Sequence, residues 1–311
     1  MRYSVSIPAG MSDRLTEVAE LLRGCREAFL RIRDDHHWVP SESSSAAVDL
    51  TEIGQMDGVR DERVVLEMVA AYLELAVGNC AGLAALYEAV EVVTSPAQLV
   101  RAVLEDCARA YWLIGSDPVS APEDRLARSY IDHEISAVDK QKYAARLMGK
   151  TSFGYALARS EFKDLRAEIK KAFPATSGTD FDAPVTINGQ KNIGPTETVK
   201  WFYALRRGEG GSDIGEGIYI RLCNQTHPTI SSIRDRRRFI RHGEHFGSHQ
   251  VVKLSELENL ARLAVSAVHV TLAWVYRYCG WDFDPDHEFE DLIERTFPGS
   301  LADIAPDTPH V

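Results

Sequence analysis

Apolar residues recur at helical spacing along most of the chain, and this spacing predicts a series of helices. The pattern first appears over residues 12–34. It is strongest over residues 61–93, where apolar side chains occur on most sides, as in a helix buried among others. Two further predicted helices, 96–115 and 122–148, each begin at or next to a proline. The short links between these helices are typical of an up-and-down bundle.

The second half of the chain also shows mostly helical patterns. Further helices are predicted over 151–172, 196–206, 217–227 and 254–279. Asn188-Gly189 accepts positive φ, which predicts a small β hairpin within residues 185–193. Loops are predicted for the Ser-rich segment 40–58 and for 208–217, which holds five glycines, and irregular structure or short strands for 228–253. The sequence therefore predicts a mainly α protein, a helical bundle with a small β hairpin insertion.

These elements divide the chain into five predicted parts. They are an N-terminal helix and loop (1–60), the first half of the bundle (61–150), a helix-plus-hairpin insertion (151–194), the second half of the bundle (195–281) and an acidic C-terminal tail (282–311). The tail holds nine acidic residues and one basic residue, which predicts a solvated end that aids solubility.

Charge is unevenly distributed. The net charge is −11, yet residues 199–253 hold ten Lys or Arg against five Asp or Glu. The overall acidity argues against a general nucleic-acid coat, but it is compatible with one local anion site. The five cysteines are scattered without a C-x-x-C pair, which is typical of core residues in a reducing cytosol.

The chain lacks the patterns of secretion and of membrane spans. Its N-terminus has no apolar signal region, and no stretch of 18 uncharged apolar residues occurs. A cytoplasmic location without a membrane partner is therefore predicted. No metal and no cofactor is predicted either. His242, His245 and His249 have a suggestive spacing, but Gly243 and Gly247 interrupt the segment.

Arg221 and His227 form the most suggestive chemical pattern. Cleavage of RNA through its 2′-hydroxyl needs a group that takes the proton and a cation that stabilises the charge on phosphorus. Histidine titrates near neutral pH, and arginine pairs with phosphate oxygens. Asn224 lies between them and could orient the imidazole or a phosphate. The structural alternative is that Arg221 forms a salt bridge with a neighbouring helix and that His227 caps a helix end.

This spacing resembles the Arg-x(4–6)-His motif of the HEPN superfamily of helical bundles. The resemblance implies a metal-independent ribonuclease that acts as a homodimer, with Arg221 stabilising the phosphorane and His227 moving the proton. A second pattern resembles uncharacterised bacterial proteins related to HEPN-like domains. It comprises Arg101-x3-Glu105, Trp112-Leu113, Arg125-x2-Arg128 and Tyr219-x2-Leu222-x4-His227-Pro228. This pattern implies the fold and no reaction.

Charged residues on the predicted helices provide candidate binding residues. Arg101, Glu105 and Arg109 lie four residues apart on one helix face, with Trp112 beside them. They form either a solvated face or a charged cleft. Arg125 and Arg128, on the next helix, could face this cleft and bind an anion, or they could belong to an internal ion network.

The basic run that follows His227 is the last candidate. Arg236, Arg237 and Arg238 could grip phosphates, or they could belong to a solvated loop. Three functional hypotheses result. The chain is a HEPN-like protein that binds or cleaves RNA without a metal, or a non-catalytic regulatory or anion-binding module of a stress or defence system. The third is a small-molecule enzyme that uses the charged cleft.

Overall fold

A computed structural model describes residues 10–92, 95–115, 120–208, 210–227, 229–235, 237–242, 245–250, 252–282 and 287–301. The helices are α1 (Met11–Arg31), α2 (Ser45–Gln55), α3 (Val64–Glu88), α4 (Pro96–Ile114), α5 (Pro122–Leu147), α6 (Phe153–Ala172), α7 (Pro195–Arg207), α8 (Gly211–Thr226), α9 (Ile230–Asp235), α10 (Leu254–Cys279) and α11 (His287–Thr296). The strands are β1 (Thr186–Ile187), β2 (Gln190–Lys191), β3 (Arg237–His242) and β4 (His245–Gln250).

The prediction of a mainly α helical bundle is confirmed. Helix α3 lies at its centre, packed against α1 and α4, and α10 packs against α4 from another side. Val69, Leu73 and Ala76 of α3 are completely buried. By length and composition α3 could also cross a membrane, as the central helix of a bundle often can.

The predicted loop over residues 40–58 is wrong, because Ser45–Gln55 forms helix α2. The side chain of Ser44 caps this helix by accepting a hydrogen bond of 3.1 Å from the backbone N–H of Ala47. Asp49 and Ile53, one turn apart on the helix, are both buried. The serines that suggested a loop supply the cap, and the buried face is too short to show a clear apolar period.

The predicted flexible connection over 208–217 is also helical from Gly211 onward. A Cβ on Gly211 would come within 2.3 Å of the carbonyl oxygen of Tyr203 in α7. A Cβ on Gly215 would come within 3.0 Å of the carbonyl oxygen of Val199. The glycines therefore let α7 and α8 approach closely, which offsets the low helix propensity of glycine.

Both short sheets are antiparallel hairpins. The predicted hairpin is confirmed as β1 and β2, with Asn188 and Gly189 at positive φ in the turn. A second hairpin, β3 and β4, spans residues 237–250, with Arg238 opposite His249 and His242 opposite His245. The prediction of short strands in this region is therefore confirmed, and the histidines do not form a helical array.

The acidic C-terminal segment is not entirely solvated. Within it α11 packs against α1, and its Phe289 and Ile293 are buried. A Cβ on Gly24 of α1 would come within 2.6 Å of the Leu292 side chain. Phe289, Leu292 and Ile293 have the spacing of one helix face, so this short apolar stripe holds the segment on the bundle.

Candidate functional site

Four polar side chains meet where α8 packs against α4, and we call them the Arg101 cluster: Arg101, Glu105, Tyr219 and His227. Arg101 donates from Nε to Oε1 of Glu105 at 2.7 Å and from Nη2 to the Tyr219 hydroxyl at 3.1 Å. The Tyr219 hydroxyl donates in turn to the same Glu105 oxygen at 2.6 Å. Nη1 of Arg101 lies 3.3 Å from Nε2 of His227. One guanidinium therefore contacts a carboxylate, a phenol and an imidazole.

Electrostatics favour the charged form of Arg101 and the neutral form of Tyr219. Burial opposes the charge of Arg101, but the hydrogen bonds with Glu105 and Tyr219 outweigh it and raise the pKa of Arg101. Burial, together with the hydrogen bond to Glu105, raises the pKa of Tyr219. Near neutral pH Arg101 is thus charged, and Tyr219 is a neutral donor. Since arginine only donates, its contact with His227 requires an unprotonated Nε2 on the imidazole.

The cluster is accessible to water on one side. His227 is exposed, and the side chains of Arg101 and Glu105 retain 22% and 30% of their accessible surface. Tyr219 is only 4% exposed and closes the inner side. A ligand arriving from solvent would meet the imidazole and the guanidinium before it met the phenol.

Arg221 and Asn224 are both exposed on α8. Arg221 lies two residues after Tyr219, so its side chain leaves the helix about 200° away from that of Tyr219. Asn224 lies one turn before His227. The helix thus turns Arg221 away from the side that contacts α4, and the guanidinium found at His227 belongs to Arg101.

From the sequence, Tyr219 belongs only to a pattern that implies the fold, and Asp106 has no predicted role. Both signals were weak, because a tyrosine on a helix and an acid next to Glu105 are common. Asp106 accepts a hydrogen bond of 3.4 Å from Asn79. Burial, and then the neighbouring Glu105, raise the pKa of Asp106 to about 7. The edge of the cluster therefore carries a carboxyl group that titrates near neutral pH.

Arg109 and Trp112 form a separate contact farther along α4. The guanidinium of Arg109 lies 4.8 Å from the centre of the Trp112 ring, and its Nη2 lies 3.3 Å from Oδ1 of Asp132. Asp132 in turn accepts a hydrogen bond of 2.9 Å from the Tyr72 hydroxyl. Trp112 is only 5% exposed, so Arg109 covers it and the indole does not line an open cleft.

Arg125 belongs to an internal ion network. It donates from Nε and Nη2 to the two carboxylate oxygens of Asp49, at 2.7 and 2.8 Å. The Tyr278 hydroxyl donates to the same carboxylate at 2.6 Å. Arg125 and Asp49 are 2% and 1% exposed. The Arg125–Asp49 pair and Tyr278 together join α2, α5 and α10. Of the two interpretations offered for Arg125, anion binding or an internal ion network, the structure contains the network.

Arg128 lies deep in the fold and contacts neutral groups. It donates to the Gln190 side chain at 2.9 Å, to the Trp112 carbonyl at 3.2 Å and to the Ser120 hydroxyl at 3.3 Å. Burial lowers the pKa of Arg128. These contacts attach the β1–β2 hairpin and the end of α4 to α5. Neither Arg125 nor Arg128 joins the Arg101 cluster.

The basic run lies at the second hairpin. Arg236 lies outside the described residues, Arg237 is exposed, and Arg238 lies on β3 with its side chain outside the description. Within the described part of the chain, no three His, Cys, Asp or Glu side chains are grouped to hold a metal ion.

Comparisons with protein-family models, curated proteins and solved structures find no match to this chain.

Proposed function

We propose that the protein binds RNA at the Arg101 cluster and cleaves it without a metal. The observation that carries the proposal is the 3.3 Å contact between the Arg101 guanidinium and Nε2 of His227 on a solvent-accessible surface. A fixed cation beside an unprotonated imidazole supplies the two groups that attack by a 2′-hydroxyl requires. The HEPN resemblance, which rests on the spacing of Arg221 and His227, implies the same chemistry with a different arginine; here Arg101 is the arginine beside the histidine.

The proposed reaction uses the existing contacts. An RNA phosphate binds the Nη1 side of Arg101, which releases Nε2 of His227 to accept the proton of the 2′-hydroxyl. The 2′-oxygen then forms a bond to phosphorus while the bond from phosphorus to the 5′-oxygen breaks. The leaving oxygen takes a proton from water. The products are a 2′,3′-cyclic phosphate and a 5′-hydroxyl end.

Glu105 and Tyr219 act as positioning residues in this proposal. Glu105 holds Nε of Arg101, and Tyr219 holds Nη2, so the guanidinium keeps one orientation with Nη1 directed at His227. Asn224 is exposed one turn before His227 and is available to bind a phosphate oxygen. The homodimer that the HEPN resemblance implies remains a prediction.

One observation favours a second candidate, a non-catalytic anion-binding module. Arg101 is already neutralised by Glu105, and the cluster joins α4 to α8. The same contacts would then stabilise the helix pair, and an anion would bind His227 and Arg101 from outside without reacting. In this case RNA or another anion binds and is released unchanged.

RNA incubation in EDTA separates the two candidates. The assay compares the purified wild-type protein with the His227→Ala, Arg101→Gln and Arg221→Gln variants. Cleavage requires His227 and Arg101, so we expect the first two variants to lose at least about 100-fold in rate, as loss of a general base does. Arg221→Gln is expected to retain most activity, because its side chain leaves α8 on another side.

The outcomes are distinct. If Arg221→Gln loses RNA cleavage while Arg101→Gln keeps it, Arg221 and not Arg101 is the catalytic arginine. Binding of RNA without cleavage by the wild-type protein would select the anion-binding module. Thermal unfolding of each variant checks that lost cleavage is not lost folding.

A further inference from the structure

The end of the α5–α6 helical hairpin carries apolar side chains that face solvent. Leu147 ends α5, Met148 follows it, and Phe153 begins α6. They are 80%, 57% and 83% exposed. Polar residues normally occupy such a turn, and isolated exposed apolar residues elsewhere are ordinary. Three large apolar residues exposed around one turn therefore mark this end as a candidate binding surface.

The turn has a defined conformation. Gly149 adopts a φ of 85°, and the Ser152 hydroxyl caps α6 by accepting from the N–H of Tyr155 at 3.1 Å. Ala144 and Ala158 are buried between the two helices. The helices are thus held together up to the turn, and Leu147, Met148 and Phe153 are presented at a fixed end.

The charge around this end is positive. Residues 141–160 contain four basic residues and no acidic residue, in a chain whose net charge is −11. Arg146, Lys150 and Arg159 are exposed, and none of the three forms an ion pair with a described residue. The apolar end and its surrounding cations therefore complement a surface with a negatively charged outer layer and an apolar layer below it.

We propose that the end of the α5–α6 hairpin binds the surface of an anionic lipid bilayer. Leu147, Met148 and Phe153 enter the boundary between headgroups and acyl chains, while Arg146 and Lys150 contact anionic headgroups. Tyr143 and Leu157 lie about one helical turn, roughly 5 Å, farther from the end, which suits an insertion depth of about 5–10 Å. This surface binding departs from the prediction of no membrane partner, which rested on the lack of an uncharged apolar stretch of 18 residues, and it does not involve α3.

Size argues against a protein partner at this end. Two adjacent helices, each about 10 Å across, present an end face of roughly 200 Å². A stable protein interface needs about 800 Å² on each partner. Nucleic acid fits less well too, because two of the three side chains at the end, Leu147 and Met148, are aliphatic and give no stacking surface for bases beside the Phe153 ring. A bilayer needs only a few inserted side chains and a cationic rim.

Vesicle cosedimentation with the full chain tests the proposal. The vesicles are phosphatidylcholine alone and phosphatidylcholine mixed with phosphatidylserine, each at low and at high salt. We expect binding to the anionic vesicles at low salt and much weaker binding to the neutral ones. Leu147→Ser and Phe153→Ser should each lower the partition coefficient about 10-fold or more. Arg146→Gln and Lys150→Gln should each lower it about 5-fold at low salt, and less at high salt.

Matched controls lie elsewhere on the surface. Leu75 is 56% exposed on α3, and Lys191 is exposed on β2. Leu75→Ser and Lys191→Gln should leave the partition coefficient unchanged. Equal binding to both vesicle types, no binding to either, or equal losses in the control variants would overturn the proposal. Concentration-dependent self-association that Phe153→Ser abolishes, without vesicle binding, would instead assign this end to a second copy of the chain.

Discussion

Replacement of Arg125 with Met should destabilise the fold strongly. The substitution keeps an apolar side chain of similar length but removes the guanidinium that binds both oxygens of Asp49. The Asp49 carboxylate, which is 1% exposed, would stay buried after the substitution. Of the two side chains that donate to it here, Arg125 and Tyr278, it would keep only the Tyr278 hydroxyl. An uncompensated buried charge is the most costly consequence of breaking such a pair.

The magnitude follows from the burial of the pair. Removing one partner of a buried ion pair costs about 3–5 kcal/mol of unfolding free energy. Unfolding entropy near the midpoint is about 2.1 cal/mol/K per residue, or about 0.65 kcal/mol/K for a chain of 311 residues. The thermal midpoint of Arg125→Met should therefore fall by about 5–8 °C.

Differential scanning calorimetry measures this shift, and two further variants check its cause. Arg33→Met breaks an exposed pair with Asp34, whose side chains are 58% and 61% exposed, and should leave the thermal midpoint nearly unchanged. The triple variant Asp49→Leu, Arg125→Met, Tyr278→Phe removes the polar groups of these three side chains together. It should recover most of the lost stability, because no buried charge is left unpaired.

A midpoint for Arg125→Met within 1 or 2 °C of the wild type, on the order of the exposed pair's effect, would refute this reasoning. It would mean that Arg125 is accessible to solvent and is free to bind a ligand. A triple variant as unstable as Arg125→Met would show that packing, and not the unpaired carboxylate, causes the loss.

Two further predictions concern Gly115, which ends α4 next to Arg128, and Asp106, which lies beside Glu105 of the Arg101 cluster. Gly115→Ala should lower the unfolding free energy by about 2–4 kcal/mol in a denaturation assay, since φ is 76° and the new Cβ would lie 2.0 Å from the Arg128 guanidinium. Gly208→Ala is the matched control, because Gly208 has a φ of 62° and open space around it. It should lower the unfolding free energy by only about 1–2 kcal/mol. Asp106→Asn should stabilise the protein at pH 8 by on the order of 1 kcal/mol, discounted for solvent screening, and should have a smaller effect at pH 5. The raised pKa of about 7 means that folding favours the protonated Asp106, so the wild type loses stability as the pH rises from about 4 through 7. Equal midpoints for the two glycine variants, or a stability difference for Asp106→Asn that does not change with pH, would contradict these expectations.

The sequence predicts helices well where a proline marks the start of the helix or a glycine marks its end. Pro96, Pro122 and Gly280 stand at the ends expected for α4, α5 and α10. The errors at α2 and α8 share one cause. Serines and glycines signal loops locally, but Ser44 caps a helix and Gly211 permits close helix packing. These roles depend on neighbours that are remote in sequence.

The site could be predicted only in part for the same reason. His227 is singled out from the sequence alone by its spacing from Arg221 and its position at a helix end. Its contact with Arg101 joins residues that are 126 positions apart, which no local spacing reveals. Arg125 and Arg128 carry the same charge as Arg101 in the sequence, and only burial separates structural arginines from the one at the surface.

The chemistry of the cleaved ends tests the proposed function most directly. The wild-type protein is incubated in EDTA with an RNA and with the same sequence methylated at its 2′-oxygens, and the products are identified by mass spectrometry. We predict 2′,3′-cyclic phosphate ends from the unmodified RNA, no cleavage of the methylated RNA, and no products with His227→Ala. Cleavage of the methylated RNA, or equal product from the wild type and His227→Ala, would contradict a proton transfer at His227.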